Sequence, residues 1–95
     1  MDAQEARSLL AEQIARFRAR SYADLVAIIG LADCIEIAGP SGQSYQVELN
    51  VFWDHKPGGN VRVAAAIDDG SFRASFSPLS DDFIIAPDGS FVGEG

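Results

Sequence analysis

The sequence predicts an α+β fold, in which one or two N-terminal helices pack on a four-stranded antiparallel meander, followed by a short C-terminal β-hairpin. Apolar residues recur every three or four positions up to Gly30 and alternate with polar residues after it, which are the periods of helices and strands. Turn-forming residues separate the alternating segments. The 95 residues, 47% of them hydrophobic, suit a single domain over residues 1–95 with one core.

The first helix is predicted to begin after Asp2, because Glu5 follows three residues later as in a capping box. The next residues place a narrow apolar stripe on one face of that helix: Ala3, Ala6, Leu10, Ile14 and Phe17. Ser21 and Asp24 repeat the capping spacing, which predicts a second, shorter helix that Gly30 terminates. One continuous helix to Ile29 is the alternative.

The strands follow from alternation and from the turns between them. Gly39-Pro40-Ser41-Gly42 separates the first strand from the second, and a loop over 54–60 separates the second from the third. Asp69-Gly70 is a two-residue hairpin signal. The predicted strands are 34–38, 45–53, 61–67 and 72–76, and the C-terminal hairpin pairs 83–85 with 91–92 across a Pro-Asp-Gly turn.

The strand registers can be predicted because a shift by one residue would turn every side chain to the other face. Pairing Trp53 with Val61 aligns apolar residues along the second and third strands: Val51 with Val63, Leu49 with Ala65 and Val47 with Ile67. The hairpin at Asp69-Gly70 predicts three further pairs: Ile67 with Phe72, Ala65 with Ala74 and Val63 with Phe76. This helix-on-sheet topology resembles cystatin and nuclear-transport-factor layouts, a likeness of fold that carries no function.

Three turn-rich segments, 67–73, 78–83 and 87–91, resemble small bacterial proteins of unknown function. The resemblance implies an uncharacterised bacterial domain that spans most of the chain, and it implies no activity.

The charge and hydropathy of the chain exclude several classes of function. The net charge is −7, and residues 21–95 hold eleven acidic residues against Lys56, Arg62 and Arg73, so nucleic-acid binding is not expected. The longest apolar run, 25–32, is far shorter than the ~20 residues of a membrane span. A secretory signal pattern is missing at the N-terminus, so we expect a cytoplasmic protein without membrane attachment.

From the reactive side chains we expect no metal site, no cofactor and no enzymatic activity. A single cysteine, Cys34, and a single histidine, His55, exclude an internal disulfide and a zinc site. The register places Cys34 near Asn50 or Glu48, away from the loop of His55, which disfavours a catalytic dyad. The pair Asp68-Asp69 is explained by the hairpin turn, and Asp81-Asp82 is assigned to a loop or helix cap.

The sheet face opposite the helices is the predicted functional surface. On it, Ala64 and Ala66 form a low strip between polar side chains. Aromatic and arginine side chains dominate protein interfaces, and the predicted interaction surface comprises Glu48, Asn50, Phe52, Trp53, Arg62 and Arg73. We therefore expect a non-catalytic interaction or accessory module that pairs with another protein or with itself. The alternative is a small-ligand binder or weak enzyme with a pocket between helix and sheet.

Overall fold

The computed structural model describes residues 2–69 and 79–94 and has the predicted α+β architecture. Two helices precede four antiparallel strands, which form one open sheet in the order β1-β2-β3-β4. The elements are α1 (Ala3–Arg18), α2 (Tyr22–Ala27), β1 (Ala32–Ala38), β2 (Ser44–Trp53), β3 (Val61–Asp68) and β4 (Leu79–Ile85).

The N-terminal segment forms two helices, each with the predicted N-cap. The Asp2 carboxylate accepts hydrogen bonds from the Gln4 and Glu5 amides at 3.0 and 3.1 Å, and Ser21 Oγ accepts one from the Asp24 amide at 3.1 Å. These bonds satisfy amides that a helix leaves without partners in its first turn. The alternative of one continuous helix is wrong, because the chain re-caps at Ser21.

The capping-box role predicted for Glu5 is wrong. Its carboxylate reaches the turn between β1 and β2, where it accepts hydrogen bonds from Ser41 and from the Tyr45 hydroxyl. The predicted apolar stripe also needs correction, since Ala3 is exposed while Leu9 is buried. The buried face of α1 is Ala6, Leu9, Leu10, Gln13, Ile14 and Phe17, and it packs against β3 and β4.

The register between β2 and β3 is confirmed at every predicted pair. The structure pairs Trp53 with Val61, Val51 with Val63, Leu49 with Ala65, and Val47 with Ile67. All these residues except Trp53 are buried, so both strands present one apolar face to the helices.

The predicted fourth strand is wrong. The edge of β3 that was assigned to 72–76 is occupied by β4, which pairs Ile67 with Leu79 and Val63 with Phe83. Residues 72–76 lie outside the described part of the chain. Segment 83–85, predicted as an arm of a separate hairpin, is therefore the end of the fourth sheet strand.

The C-terminal hairpin is built on β4. Ile85 bridges Phe91, and the Ala86 amide donates to the Ser90 carbonyl at 2.8 Å. Gly89 takes a φ of 88°, which a residue with a side chain rarely adopts, so the predicted Pro-Asp-Gly turn is formed. The hairpin places Phe91 against Phe83, with ring centroids 5.7 Å apart.

The described core lies between the helices and one face of the sheet. Tyr45, Val47, Val63 and Ile67 are fully buried there, and Leu25 anchors α2 on the same layer. Among residues 2–69 and 79–94, Gln13 is the single buried side chain that is neither aliphatic nor aromatic. In the same ranges, neither helix has the length and hydropathy that crossing a membrane requires.

Candidate interaction surface

The sheet face turned away from the helices, here called the open face, carries every second side chain of the strands. Directly opposed residues of antiparallel strands share a face, so the register fixes its members. Four rows of at least three residues cross the sheet: Ala32, Asn50, Ala64 and Asp82; Cys34, Glu48, Ala66 and Ser80; Phe52, Arg62 and Ile84; and Glu36, Gln46 and Asp68.

Four of the predicted interaction residues share this face, namely Glu48, Asn50 and Phe52 on β2 and Arg62 on β3. Trp53 does not belong with them, because it lies on the helix-facing side and packs against the core. Successive side chains of a strand point to opposite faces, so Trp53 faces the helices because Phe52 faces away from them. Arg73 lies outside the described residues.

An apolar row, defined here as Phe52, Ile84 and Val92, crosses one end of the open face. Phe52 and Val92 are each 41% exposed and are the exposed large hydrophobic side chains of the described chain. The Val92 amide donates to the Ile84 carbonyl at 2.8 Å, which continues the hairpin and sets Val92 beside Ile84. The row therefore extends from β2 to the C-terminal segment.

Arg62 lies in the middle of the apolar row and is held by two carboxylates. Its Nε donates to Asp54 Oδ1 at 2.8 Å, and its Nη1 forms an ion pair with Asp82. The hydrogen bond to Asp54, aided by the charge of Asp82, raises the pKa of the Arg62 guanidinium. Arg62 is thus a fixed cation whose charge is already balanced by its neighbours.

Two shallow depressions adjoin on the open face and share Asn50. One, of about 320 Å³, is lined by Ala64 and Ala66, the predicted alanine strip, by the intervening Ala65, and by Ser80, Asp81 and Asp82. The other, of about 280 Å³, is lined by Ala32, Asp33, Cys34, Glu48 and Asn50. Short side chains on neighbouring strands leave this space, because a methyl group rises little above the pleat. Together the depressions form a trough across the strands, with Glu48 lining one part and Asp82 the other.

The edge strand β1 carries an aspartate at a position that alternation assigns to the core. Asp33 pairs with the buried Leu49, yet its carboxylate turns back and accepts a hydrogen bond from the Cys34 amide at 2.9 Å. The amides of Gly39 and Val51 bond across the β1–β2 pair, so even-numbered residues of β1 face the open edge. Asp33 therefore caps an amide that another strand would need.

The other edge strand, β4, repeats this arrangement. Asp81 pairs with the buried Ala65, and its carboxylate accepts a hydrogen bond from the Asp82 amide at 2.8 Å. The bond from Val92 to Ile84 shows that even-numbered residues of β4 face away from β3. Inward charges and blocked amides protect sheet edges from pairing with other chains. The expectation that Asp81-Asp82 forms a loop or helix cap is wrong, since both lie within β4.

No family model, characterised protein or solved structure gives a significant match to this chain. Cys34 on β1 and His55 on the loop after β2 are both exposed. In residues 2–69 and 79–94, no group of three or more histidine, cysteine, aspartate or glutamate side chains is placed to hold a metal ion.

Sequence reasoning missed Ile84, Val92, Asp54 and Asp82 as parts of the surface. The first two depend on which segment pairs with β3, and that assignment was wrong. A usable signal was present at Asp81, which interrupts an otherwise alternating strand just as Asp33 does. Charged residues at core positions are typical of edge strands.

Proposed function

We propose that this chain is a non-catalytic interaction module that binds a protein partner through the open face. The observation that carries the proposal is the apolar row, in which Phe52 and Val92 stay 41% exposed on a helix-free sheet face. Exposed apolar side chains around an arginine are typical of interface centres. The described interior offers less to a ligand, because its buried side chains are apolar apart from Gln13 and the hydroxyl of Tyr45, which already bonds to Glu5.

Because the amides at the sheet edges are capped, the open face is a more favourable binding site than the edge strands β1 and β4. A partner that added a strand to β1 or β4 would have to displace the Asp33 or Asp81 carboxylate from an amide. A partner on the open face leaves both bonds intact. The module is therefore expected to bind its partner through side chains of the open face and not by strand addition.

A reducing cytoplasm is the compartment that we propose for the module. Its lone cysteine, Cys34, is a free and exposed thiol. Unpaired exposed thiols persist where disulfide formation is suppressed.

Site-directed photo-crosslinking tests the proposed function. We would place benzoylphenylalanine at Phe52 or Val92, and at the exposed Ala15 of α1 as the matched control. Irradiation in the cells that make the protein is expected to give a discrete protein adduct from positions 52 and 92 and none from position 15. Equal adducts from all three positions, or none from 52 and 92, would contradict the proposal.

A further inference from the structure

The trough on the open face has the dimensions of a single polypeptide segment. Four strands about 4.8 Å apart make the sheet roughly 15–19 Å wide, the length of about five or six extended residues. The two depressions lie side by side across this width and share Asn50. A segment crossing the strands would contact both depressions and keep one flank against the apolar row.

The charges along the trough favour a segment of positive charge. Glu48 lines one depression and Asp82 the other, and Glu36 lies on the same face of β1, whereas Asp33 and Asp81 occupy helix-facing positions. The one arginine among the described open-face residues, Arg62, is engaged by Asp54 and Asp82. The described open face thus carries net negative charge, because Asp54 and Asp82 exceed the single charge of Arg62 and Glu36 and Glu48 add to it. Complementary charge speeds and orients association.

A second copy of this chain fits the same surface poorly. Two open faces brought together would oppose their carboxylates, and each copy carries a net charge of −7. The flat footprint of four strands about seven residues long is roughly 400 Å². This area suits a short segment better than a folded second copy, because each partner of a typical stable interface buries ~800 Å².

We propose that the occupant of the open face is a basic segment of another protein, which crosses the strands along the trough. Lysine or arginine side chains of the segment pair with Glu48 on β2 and with Asp82 on β4. An aliphatic or aromatic side chain packs on Phe52, Ile84 and Val92. This inference rests on the proposed function and adds the chemistry of the partner to it.

Random peptides displayed on phage are the probe for this inference. The full chain serves as bait, and the selected sequences are then synthesised and titrated against it. We expect enriched peptides with at least two lysine or arginine residues around an apolar one. Raising NaCl from about 0.05 to about 0.5 M should weaken their binding at least tenfold, since exposed ion pairs are screened.

Four variants locate the binding. Glu48→Gln should weaken it about two- to fivefold, the effect of one exposed ion pair. Phe52→Ser, or Val92→Ser as a second truncation of the apolar row, should weaken it at least tenfold. Glu12→Gln, the same charge change on the exposed surface of α1, should leave it unchanged.

The outcomes separate this inference from the proposed function. Peptides that need Phe52 but carry no excess of basic residues, or that ignore Glu48→Gln and salt, would overturn the basic partner and leave the interaction surface standing. A dimer in sedimentation equilibrium that Phe52→Ser dissociates would overturn it in favour of a second copy. Failure to enrich any peptide that discriminates Phe52→Ser would also overturn it, whereas the proposed function is decided by the crosslinks.

Discussion

The carboxylate of Glu5 lies directly over Gly39, so closely that a Cβ on Gly39 would stand 2.6 Å from Glu5 Cδ. From this position Glu5 accepts hydrogen bonds from the Ser41 amide at 2.9 Å, the Ser41 hydroxyl at 2.7 Å and the Tyr45 hydroxyl at 2.7 Å. The first turn of α1 is thereby joined to the turn between β1 and β2. Glycine is needed at position 39 for its lack of a side chain, which permits this approach.

Gly39→Ala is expected to destabilise the protein by displacing Glu5 from these partners. The clash involves the end of a flexible side chain, so the fold should survive while the melting temperature drops by several degrees. In a Glu5→Ala background the carboxylate that the added methyl group would displace is absent, so Gly39→Ala should cost less there. Thermal unfolding of both single variants and the double variant measures this coupling. Strictly additive losses would show that Gly39 and Glu5 act independently.

Tyr45 is expected to ionise only in strong alkali. Its burial, followed by its hydrogen bond to Glu5, raises the pKa of the phenol from 10.0 to about 12. Because the folded state holds the proton more tightly, this stabilisation is complete below pH 10 and is lost as the pH rises towards 12. Absorbance titration of the phenolate checks the value, with Tyr45→Phe and Tyr22→Phe assigning the steps. A step with a midpoint near 10 that Tyr45→Phe removes would contradict the expectation.

The β2–β3 register was predictable because two independent patterns had to agree. Alternation runs through both strands, and one choice of register pairs apolar residues at all four positions from Trp53–Val61 to Val47–Ile67. A shift by one residue would expose the whole core face. Local pattern and burial thus impose the same solution.

The fourth strand was mispredicted because local signals favoured a closer candidate. Asp69-Gly70 is a strong hairpin signal, and Phe72, Ala74 and Phe76 alternate as a strand should. The strand that pairs with β3, β4, is interrupted by Asp81 at a core position. That aspartate accepts a hydrogen bond from an amide at the sheet edge. The alternation of residues within one strand does not indicate whether the strand lies at an edge. Because the fourth strand was misassigned, Ile84 and Val92 were not predicted as parts of the open face. Phe52 and Arg62 were predicted, because their positions follow from the register between β2 and β3 alone.

Removing both edge aspartates is expected to promote association of the sheets. Asp33→Val combined with Asp81→Val frees the amides of Cys34 and Asp82 and completes the apolar alternation of both edge strands. Uncapped apolar edges are templates for pairing with other chains. Light scattering and thioflavin T fluorescence should therefore rise with time at concentrations where the unmodified chain stays dispersed.

The matched control is a double variant that loses the same number of negative charges at positions away from the edge caps. Glu36→Val lies on the open face of β1 and Glu12→Val on the exposed surface of α1, so both edge caps remain. This control should scatter no more than the unmodified protein. If it associates as readily as the Asp33 and Asp81 variant, net charge rather than edge capping keeps the chains apart.

Arg18 is expected to hold the C-terminal segment, and with it Val92, against the sheet. Its guanidinium lies 4.0 Å from the Phe91 ring centroid and donates to both carboxylate oxygens of Glu94, at 2.6 and 2.7 Å. Arg18→Lys keeps the charge but loses the planar fork and the stacking. The Val92 amide should then exchange with solvent about two- to fivefold faster, as loss of one exposed cation–π contact implies.

The Val51 amide, bonded to the Leu31 carbonyl at 3.0 Å between β2 and the chain before β1, is the internal reference for this exchange measurement. Its exchange should stay unchanged in Arg18→Lys, because local opening of the hairpin leaves the rest of the sheet intact. Equal acceleration at Val51 and Val92 would instead indicate global destabilisation. A selective effect would mean that Arg18, on the helical layer, keeps one end of the apolar row ordered on the opposite face, which lowers the entropic cost of binding a partner there.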